Sequence, residues 1–160
     1  MADITAINYY RPKMMVPDGR GCTIIEKAAI PASTVIGTND TVSFAMPAGV
    51  TVHRLRIHSD DIDAGTAMVF RAGYLKQNSA DTLTADDDYF AAAGQTLVQA
   101  GGGLTTLSFH PIKFEIPWIL RLTFNTGGTS NASVGYISVM VGVNMNGVEG
   151  TSSTGLGTPV

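Results

Sequence analysis

Three β-like segments follow one another within residues 40–75, and this stretch constrains the fold more than any other part of the chain. The segments are residues 41–46, 50–58 and 67–75. In the first of them, apolar and small polar side chains alternate with the period of two that a strand imposes. A Pro-Ala-Gly turn at residues 47–49 joins the first two segments. This order predicts an antiparallel three-stranded ribbon, which we take as the scaffold of the domain.

The same pattern continues along most of the chain. Further β-like segments cover residues 22–29, 104–110, 112–116, 118–125 and 134–145. Short segments separated by turn residues at intervals of about 8 to 12 residues are typical of antiparallel sandwiches and barrels. We therefore predict an all-β fold, an antiparallel β-sandwich or barrel, with a jelly-roll-like arrangement as its specific form.

One segment has the signals of a helix instead. Thr84 can cap a helix start, and the acidic residues 86–88 suit the positive end of a helix dipole. Residues 89–100 can continue the helix, and three glycines at 101–103 end it. We therefore expect one short helix near residues 85–100.

The two ends of the chain differ from this body. Residues 1–25 contain prolines and glycines that argue against regular structure. They also carry side chains of the kind found at interfaces, namely Ile7, Tyr9, Tyr10, Met14 and Met15. We expect an extended N-terminal arm over residues 1–25, which either folds back as an extra strand or lies on a neighbouring protein. The sandwich domain then covers residues 26–146, and residues 147–160 form a flexible tail.

Low charge points to a protein that covers part of its surface with a partner. Charged residues make up 14% of the chain, against about 25% in a typical soluble protein. A surface this poor in charge disperses a free monomer badly. The alternative is that glycine, serine, threonine and asparagine provide a neutral polar surface, since the chain has 18 glycines. In the segment 50–58, Arg54 and Arg56 share a face, which is either half-exposed or opposite an acidic partner.

Composition also argues against several classes of partner and compartment. The net charge is −3 and no Lys/Arg-rich segment occurs, which argues against a nucleic-acid partner. No signal peptide and no apolar run long enough to cross a membrane is visible. Cys22 is the single cysteine, so neither an internal disulfide nor a cysteine-pair zinc site is expected. Folding in a reducing cytosol is the natural inference.

The residues that could carry chemistry are scattered. His53 and His58 differ in parity and would point to opposite faces of a regular strand, and His110 lies at a strand end. The loop with Asp60, Asp61 and Asp63 lacks the closing glutamate of a calcium loop, and residues 86–88 are better explained as a helix start. No nucleophile motif or phosphate loop is present. We therefore predict no catalytic residues, no metal site and no cofactor.

Three stretches together resemble small virion proteins of tailed bacteriophages. They read FAMPAGVTVHRLRIHSDDIDAGTAMVFRAGYL at residues 44–75, DDDYF at residues 86–90 and VGYISVMVGV at residues 134–143. The resemblance covers residues 40–146, and its motifs are structural rather than catalytic. This chain departs from the family pattern at residues 71–73, Arg-Ala-Gly, where a more neutral strand is expected.

This resemblance implies a capsid decoration, or cement, protein, or a related head or tail accessory protein. A decoration protein binds the outer surface of a phage head, assembles as a homo-oligomer, commonly a trimer, and stabilises the shell. Its partners would be other copies of itself and the major capsid protein, and many relatives grip neighbouring subunits with extended arms. It would be made in the host cytoplasm and end on the capsid surface of the virion.

Two other functions remain open at this stage. A carbohydrate-binding or structural module of a tail fibre or baseplate would use exposed aromatic side chains, and the candidates are Trp118, Tyr74 and Tyr89. The third hypothesis is an enzyme with a novel site, for which no residue of the sequence argues.

Overall fold

The computed structural model describes residues 3–5, 21–65, 67–96, 98–99, 102–129 and 134–145, and in these ranges it contains ten strands and no helix. The strands are β1 (Asp3–Thr5), β2 (Gly21–Ile30), β3 (Thr41–Met46), β4 (Val50–Ser59), β5 (Val69–Lys76), β6 (Asp86–Gln95), β7 (Gly103–Leu107), β8 (Ile112–Phe114), β9 (Trp118–Thr126) and β10 (Gly135–Met145). The predicted all-β, antiparallel sandwich is confirmed.

Two sheets form the sandwich. Sheet A has the order β1-β3-β9-β5-β6, and all its pairs are antiparallel except β1 with β3. Sheet B has the order β2-β10-β4-β7, and β8 adds to the start of β4. Each sheet keeps two edge strands, so the structure is an open sandwich rather than a closed barrel.

The core lies between the sheets and is built mainly on β9 and β10. Their inward side chains are no more than 1% exposed: Trp118, Leu120, Leu122, Phe124, Ile137, Val139, Val141 and Val143. Burial of each such side chain contributes about 1.5–3 kcal/mol. The alternation that predicted these two strands therefore also identified the faces that they bury.

The predicted three-stranded ribbon is wrong, although its three strands exist. β3 and β5 lie in sheet A, on either side of β9, whereas β4 lies in sheet B. The turn at residues 47–49 changes sheets: Gly49 has a φ of 70°, and its N–H donates to the carbonyl oxygen of Phe114 at 2.8 Å. Sequence neighbours therefore do not pair, because the more apolar β9 and β10 occupy the sheet centres.

The helix predicted near residues 85–100 is also wrong. Most of this segment is the edge strand β6, which pairs with β5 in an irregular register. Phe90 is 2% exposed and packs against the rings of Phe109 and Trp118 at centroid distances of 4.9 and 6.0 Å. Burial of this ring and pairing with β5 outweigh the local capping signals, which are worth only about 1 kcal/mol.

A buried carboxylate fixes the loop that returns from sheet B to sheet A. Asp63 is fully buried and accepts hydrogen bonds from the backbone N–H groups of Gly65 at 3.0 Å and Met68 at 2.9 Å. It also accepts one from Thr129, 66 residues later, at 2.7 Å. The acidic loop that the sequence singled out is thus a structural junction between the β4–β5 and β9–β10 connections.

Candidate partner-binding surface

The outer face of sheet B is open and carries cationic and apolar side chains together. We call this surface the basic face and define it by the outward side chains of β2, β10, β4 and β7. They are Ile25, Lys27, Arg54, Arg56, His58, Leu104, Thr106, Tyr136, Ser138 and Met140.

Strand register places these side chains in rows across the sheet. In one row Arg56 lies between Met140 and Thr106, and Ile25 follows Met140. In the next row His58 lies between Ser138 and Leu104, with Lys27 beyond Ser138. The cations are therefore dispersed among apolar and hydroxyl groups rather than clustered in one corner.

At the outward positions of β2, β4, β7 and β10 no carboxylate lies beside these cations. Glu26 is the one acidic residue in these four strands, and it points inward and is 5% exposed. Lys27 Nζ lies 3.5 Å from the ring centroid of Tyr136, a cation–π contact. Arg54 is exposed and Arg56 is half-buried, and within the described part of the chain Arg56 Nε has no hydrogen-bond partner. Arg54 is thus the more accessible of the two arginines to an acidic partner.

A β-bulge in β4 borders a groove on the basic face. The register with β10 shifts at Gly142, so that His53 and Arg54 together oppose this glycine. A Cβ on Gly142 would lie 3.0 Å from Arg54 Cβ and 3.1 Å from His53 Cε1. The groove has a volume of about 540 Å³ and is lined by His53, Arg54, Thr106, Leu107, Ser108 and Phe109.

The bulge corrects the parity that the sequence suggested for this strand. Val52 and Leu55 are both fully buried, while His53 and Arg54 between them are both exposed. His53 and His58 are therefore both accessible, rather than on opposite faces. Five residues of strand still separate them by roughly 16 Å, too far for one metal ion to bind both.

Substitution of Gly142 tests the bulge. On a regular strand Gly142→Val would stabilise the fold by about 1 kcal/mol, because valine favours extended backbone. Here we expect a loss of about 1–2 kcal/mol, because the side chain overlaps Arg54 and His53. Urea unfolding monitored by circular dichroism measures the difference. Ser138→Val, on the same strand and face, is the control and should be neutral or stabilising.

The basic face also carries exposed apolar side chains, one at each edge of the sheet. Ile25 on β2 is 63% exposed, and Leu104 on β7 is 48% exposed. Large apolar side chains next to unpaired cations are the composition of a protein interface, in which the apolar groups contribute affinity and the charges orientation.

Two of the seven predicted partner-binding residues lie in the described part of the chain, and five do not. The structure places Arg54 and Arg56 on the basic face, as neighbours along β4. Ile7, Tyr9, Tyr10, Met14 and Met15 lie outside the described residues. Of the arm, β1 pairs with β3, and residues 21–25 belong to β2.

Lys27 and Ile25 were missed by the sequence reasoning. The signal for them was present, since residues 21–30 alternate, with Ala28 and Ile30 buried and Ile25 and Lys27 outward. Leu104 and His58 join them only through strand pairing, which the sequence did not reveal.

The aromatic residues considered for carbohydrate binding are part of the core. Trp118 is 1% exposed and stacks on Phe114 at a centroid distance of 3.9 Å. Tyr74 contacts the Phe114 ring edge-on at 5.0 Å, and Tyr89 donates its hydroxyl proton to the carbonyl oxygen of His110 at 2.9 Å. These rings join β5, β6, β8 and β9, and they offer no exposed aromatic platform to a sugar.

The described residues contain no group of three or more His, Cys, Asp or Glu side chains placed to hold a metal ion. In the same part of the chain, no helix has the length and apolar character needed to cross a membrane.

Comparisons with known proteins locate the fold among phage capsid structures. No protein-family model matches the sequence, and no curated protein matches it significantly. A chain in the capsid of Ralstonia phage GP4 is similar over 89% of this chain and 98% of that chain, with 19% identity and a TM-score of 0.65. A chain of the cyanophage Pam1 capsid asymmetric unit is similar over 84% and 94%, with 18% identity and a TM-score of 0.55. This chain therefore has a fold found in phage capsids.

Proposed function

We propose that this chain is a structural virion protein that binds the outer surface of a bacteriophage head and stabilises it. It acts as a homo-oligomer, with a trimer as the expected form, and its second partner is the major capsid protein. It is made in the host cytoplasm and has its place on the capsid surface of the virion. It carries out no catalysis.

One observation carries this proposal. The fold is shared with chains of two phage capsids along nearly the full length of both partners in each comparison. The matched chains are thus domains of similar size, rather than small parts of large proteins. The exposed apolar and cationic side chains of the basic face support an assembly role independently. Trp118 is buried and Tyr74 is half-buried against the Phe114 ring, so neither supports a carbohydrate-binding module.

Binding to phage heads tests the proposal. Heads of the encoding phage, prepared without this protein, are mixed with the purified chain and sedimented. We expect saturable co-sedimentation and release of DNA at a higher temperature. Protein at about 100 times Kd stabilises each occupied site by about 2.7 kcal/mol. Absence of binding to mature heads and to expanded, empty heads would contradict the function.

The arm has a separate role in this proposal, which is to grip a neighbouring subunit. The double variant Tyr9→Ala/Tyr10→Ala should bind heads at least about tenfold more weakly, because adjacent tyrosines bury large areas at interfaces. Its circular dichroism and unfolding midpoint should equal those of the unaltered chain. Unchanged affinity for heads would remove the arm from the contact without affecting the rest of the proposal.

A further inference from the structure

We propose that the basic face binds the acidic edge strand β6 of a second copy of this chain, so that copies join head to tail. The contact rests on the proposed homo-oligomer and names the two surfaces that make it. One surface is the outer face of sheet B, and the other is the free edge of sheet A.

The free edge of sheet A carries the acidic groups. Among the described strands β6 pairs with β5 alone, and it begins with three consecutive aspartates, Asp86, Asp87 and Asp88. Asp87 forms an ion pair with Arg71 of β5, with a distance of 2.7 Å between Nη2 and Oδ2. In the described residues Asp86 and Asp88 have no such cation. They contact each other instead, through a hydrogen bond of 3.4 Å from the Asp88 N–H to Asp86 Oδ1.

The ionisation of Asp88 reflects the excess of negative charge at this edge. A side-chain hydrogen bond with Asp86 raises the pKa of Asp88, desolvation and the negative charges of Asp86 and Asp87 raise it further, and the positive charge of Arg71 offsets part of this. A further cation placed opposite this pair would relieve the repulsion. The basic face supplies such cations, since Lys27, Arg54 and Arg56 lie there at outward positions of β2 and β4 that hold no carboxylate.

Two cations on the face can reach the acidic pair together. The start of β6 is irregular, since Tyr74 pairs with Asp86 and Ala72 with Ala91, and the Asp86 and Asp88 carboxylates contact each other through a side-chain hydrogen bond. Arg54 and Arg56 are two apart on β4, so they lie on the same side about 7 Å from each other. The two arginines can therefore approach the carboxylate pair from either side, and the groove beside Arg54 leaves room for it.

Small side chains let the edge approach the face closely. After its acidic start, β6 presents the exposed residues Ala92, Ala93 and Gly94. The basic face presents the exposed side chains of Ile25 and Leu104. A partner with small side chains can cover them at close range. The contact thus combines charge pairing with apolar burial, as stable interfaces do.

An edge that binds a face makes a heterologous contact. The edge and the face of a sheet point in directions about 90° apart. The rotation that relates one copy to the next is therefore large. Heterologous contacts form a ring when the rotation closes and an open filament when it does not, and a turn of about 90–120° closes after three or four copies. The inference therefore agrees with a trimer but does not start from one.

Two charge-reversed variants test the contact. Arg54→Glu/Arg56→Glu reverses the face, and Asp86→Lys/Asp88→Lys reverses the edge. We expect each variant alone to associate at least about 100-fold more weakly than the unaltered chain, because like charges then oppose each other. Sedimentation velocity and native mass spectrometry measure the association. Added salt should weaken the unaltered assembly as well.

Mixing the variants separates loss of contact from loss of folding. The aspartate edge of the first variant fits the unaltered face of the second, and the lysine edge of the second fits the glutamate face of the first. We therefore expect the mixture to associate and a chain with all four substitutions to regain its own oligomer. Lys113→Glu/Glu115→Lys reverses an exposed ion pair at the β8 end of sheet B, which the proposed contact does not use, and this variant should associate like the unaltered chain.

The outcomes distinguish this inference from the proposed function. Unaltered association of both variants, or failure of their mixture to associate, would overturn the contact. An unaltered chain that is monomeric in solution and on heads would overturn it too, while head binding would still support the decoration function. An intact, charge-dependent oligomer that binds no heads would support the contact and refute that function.

Discussion

Replacing Asp63 with alanine is expected to remove about 3–5 kcal/mol from the free energy of unfolding. The carboxylate accepts three backbone hydrogen bonds, from Gly65, Met68 and Thr129, at 2.7–3.0 Å. Without it these donors stay near the core unpaired, and each unpaired buried donor costs about 1–3 kcal/mol. Denaturant unfolding of the two proteins measures the loss. Asp60→Asn, which alters a carboxylate that accepts a backbone hydrogen bond from Tyr136, should cost under about 1 kcal/mol.

The same carboxylate predicts a loss of stability in acid. Burial raises the pKa of Asp63, but the N–H groups of Thr129, Met68, Gly65 and Ala67 lower it by more, to below its usual value of 3.8. Its stabilising contribution is therefore full above the unfolded pKa and is lost as pH falls through the folded pKa. When the pH is lowered below about 4, the free energy of unfolding should therefore fall less in the Asp63→Ala variant than in the unaltered chain. Equal acid dependence of the two would contradict this role.

The Trp118→Ala variant is expected to lose about 3–5 kcal/mol of stability, the cost of emptying a large buried site. Trp118 is 1% exposed and contacts the rings of Phe114 on β8 and Phe90 on β6. Its removal therefore opens a cavity where the two sheets meet. Far-ultraviolet circular dichroism is the suitable probe, because Trp118 is the only tryptophan.

Trp118→Phe provides the matched control. In the described structure the indole Nε1 is buried without a hydrogen-bond partner. Phenylalanine keeps the stacking on Phe114 and removes this unpaired donor, so its cost should be only about 1 kcal/mol. If both variants were equally unstable, a polar contact of the indole rather than its packing would hold this part of the core.

Sequence patterns predicted the strands but not their partners. The period-two alternation in β9 and β10 follows from burial of one face, which is a local property. Pairing is not local: β4 pairs with β10, about 85 residues later, and the three segments at residues 41–76 are divided between two sheets. The ribbon prediction assumed that neighbours in sequence pair, and here none of the three pairs with another.

The helix prediction failed for a related reason. Thr84 and the aspartates that follow it satisfy the rules for a helix start, which depend only on nearby residues. Phe90 and Tyr89 instead complete an aromatic cluster with Tyr74 of β5, at a centroid distance of 5.5 Å between the tyrosines. A strand brings these rings together, and the energy of that packing is invisible to a local pattern.

The candidate surface was predictable in part. Two arginines at alternate positions of an apolar strand indicated a half-exposed face, and Arg54 and Arg56 lie there. The bulge at His53 was not predictable, because it depends on a glycine 89 residues away in β10. The five arm residues at positions 7–15 stay predictions.

The central places of β9 and β10 have a consequence for the order in which this protein is made. A ribosome releases β3, β4 and β5 long before β9, which lies between β3 and β5, and β10, which lies beside β4. During that interval the nascent chain exposes unpaired, apolar strand edges, which are prone to aggregation. We expect the domain to fold only once residue 145 has emerged, and expression truncated before β9 to yield insoluble protein. Chaperones that shield nascent strands should therefore matter more for its yield than for its final stability.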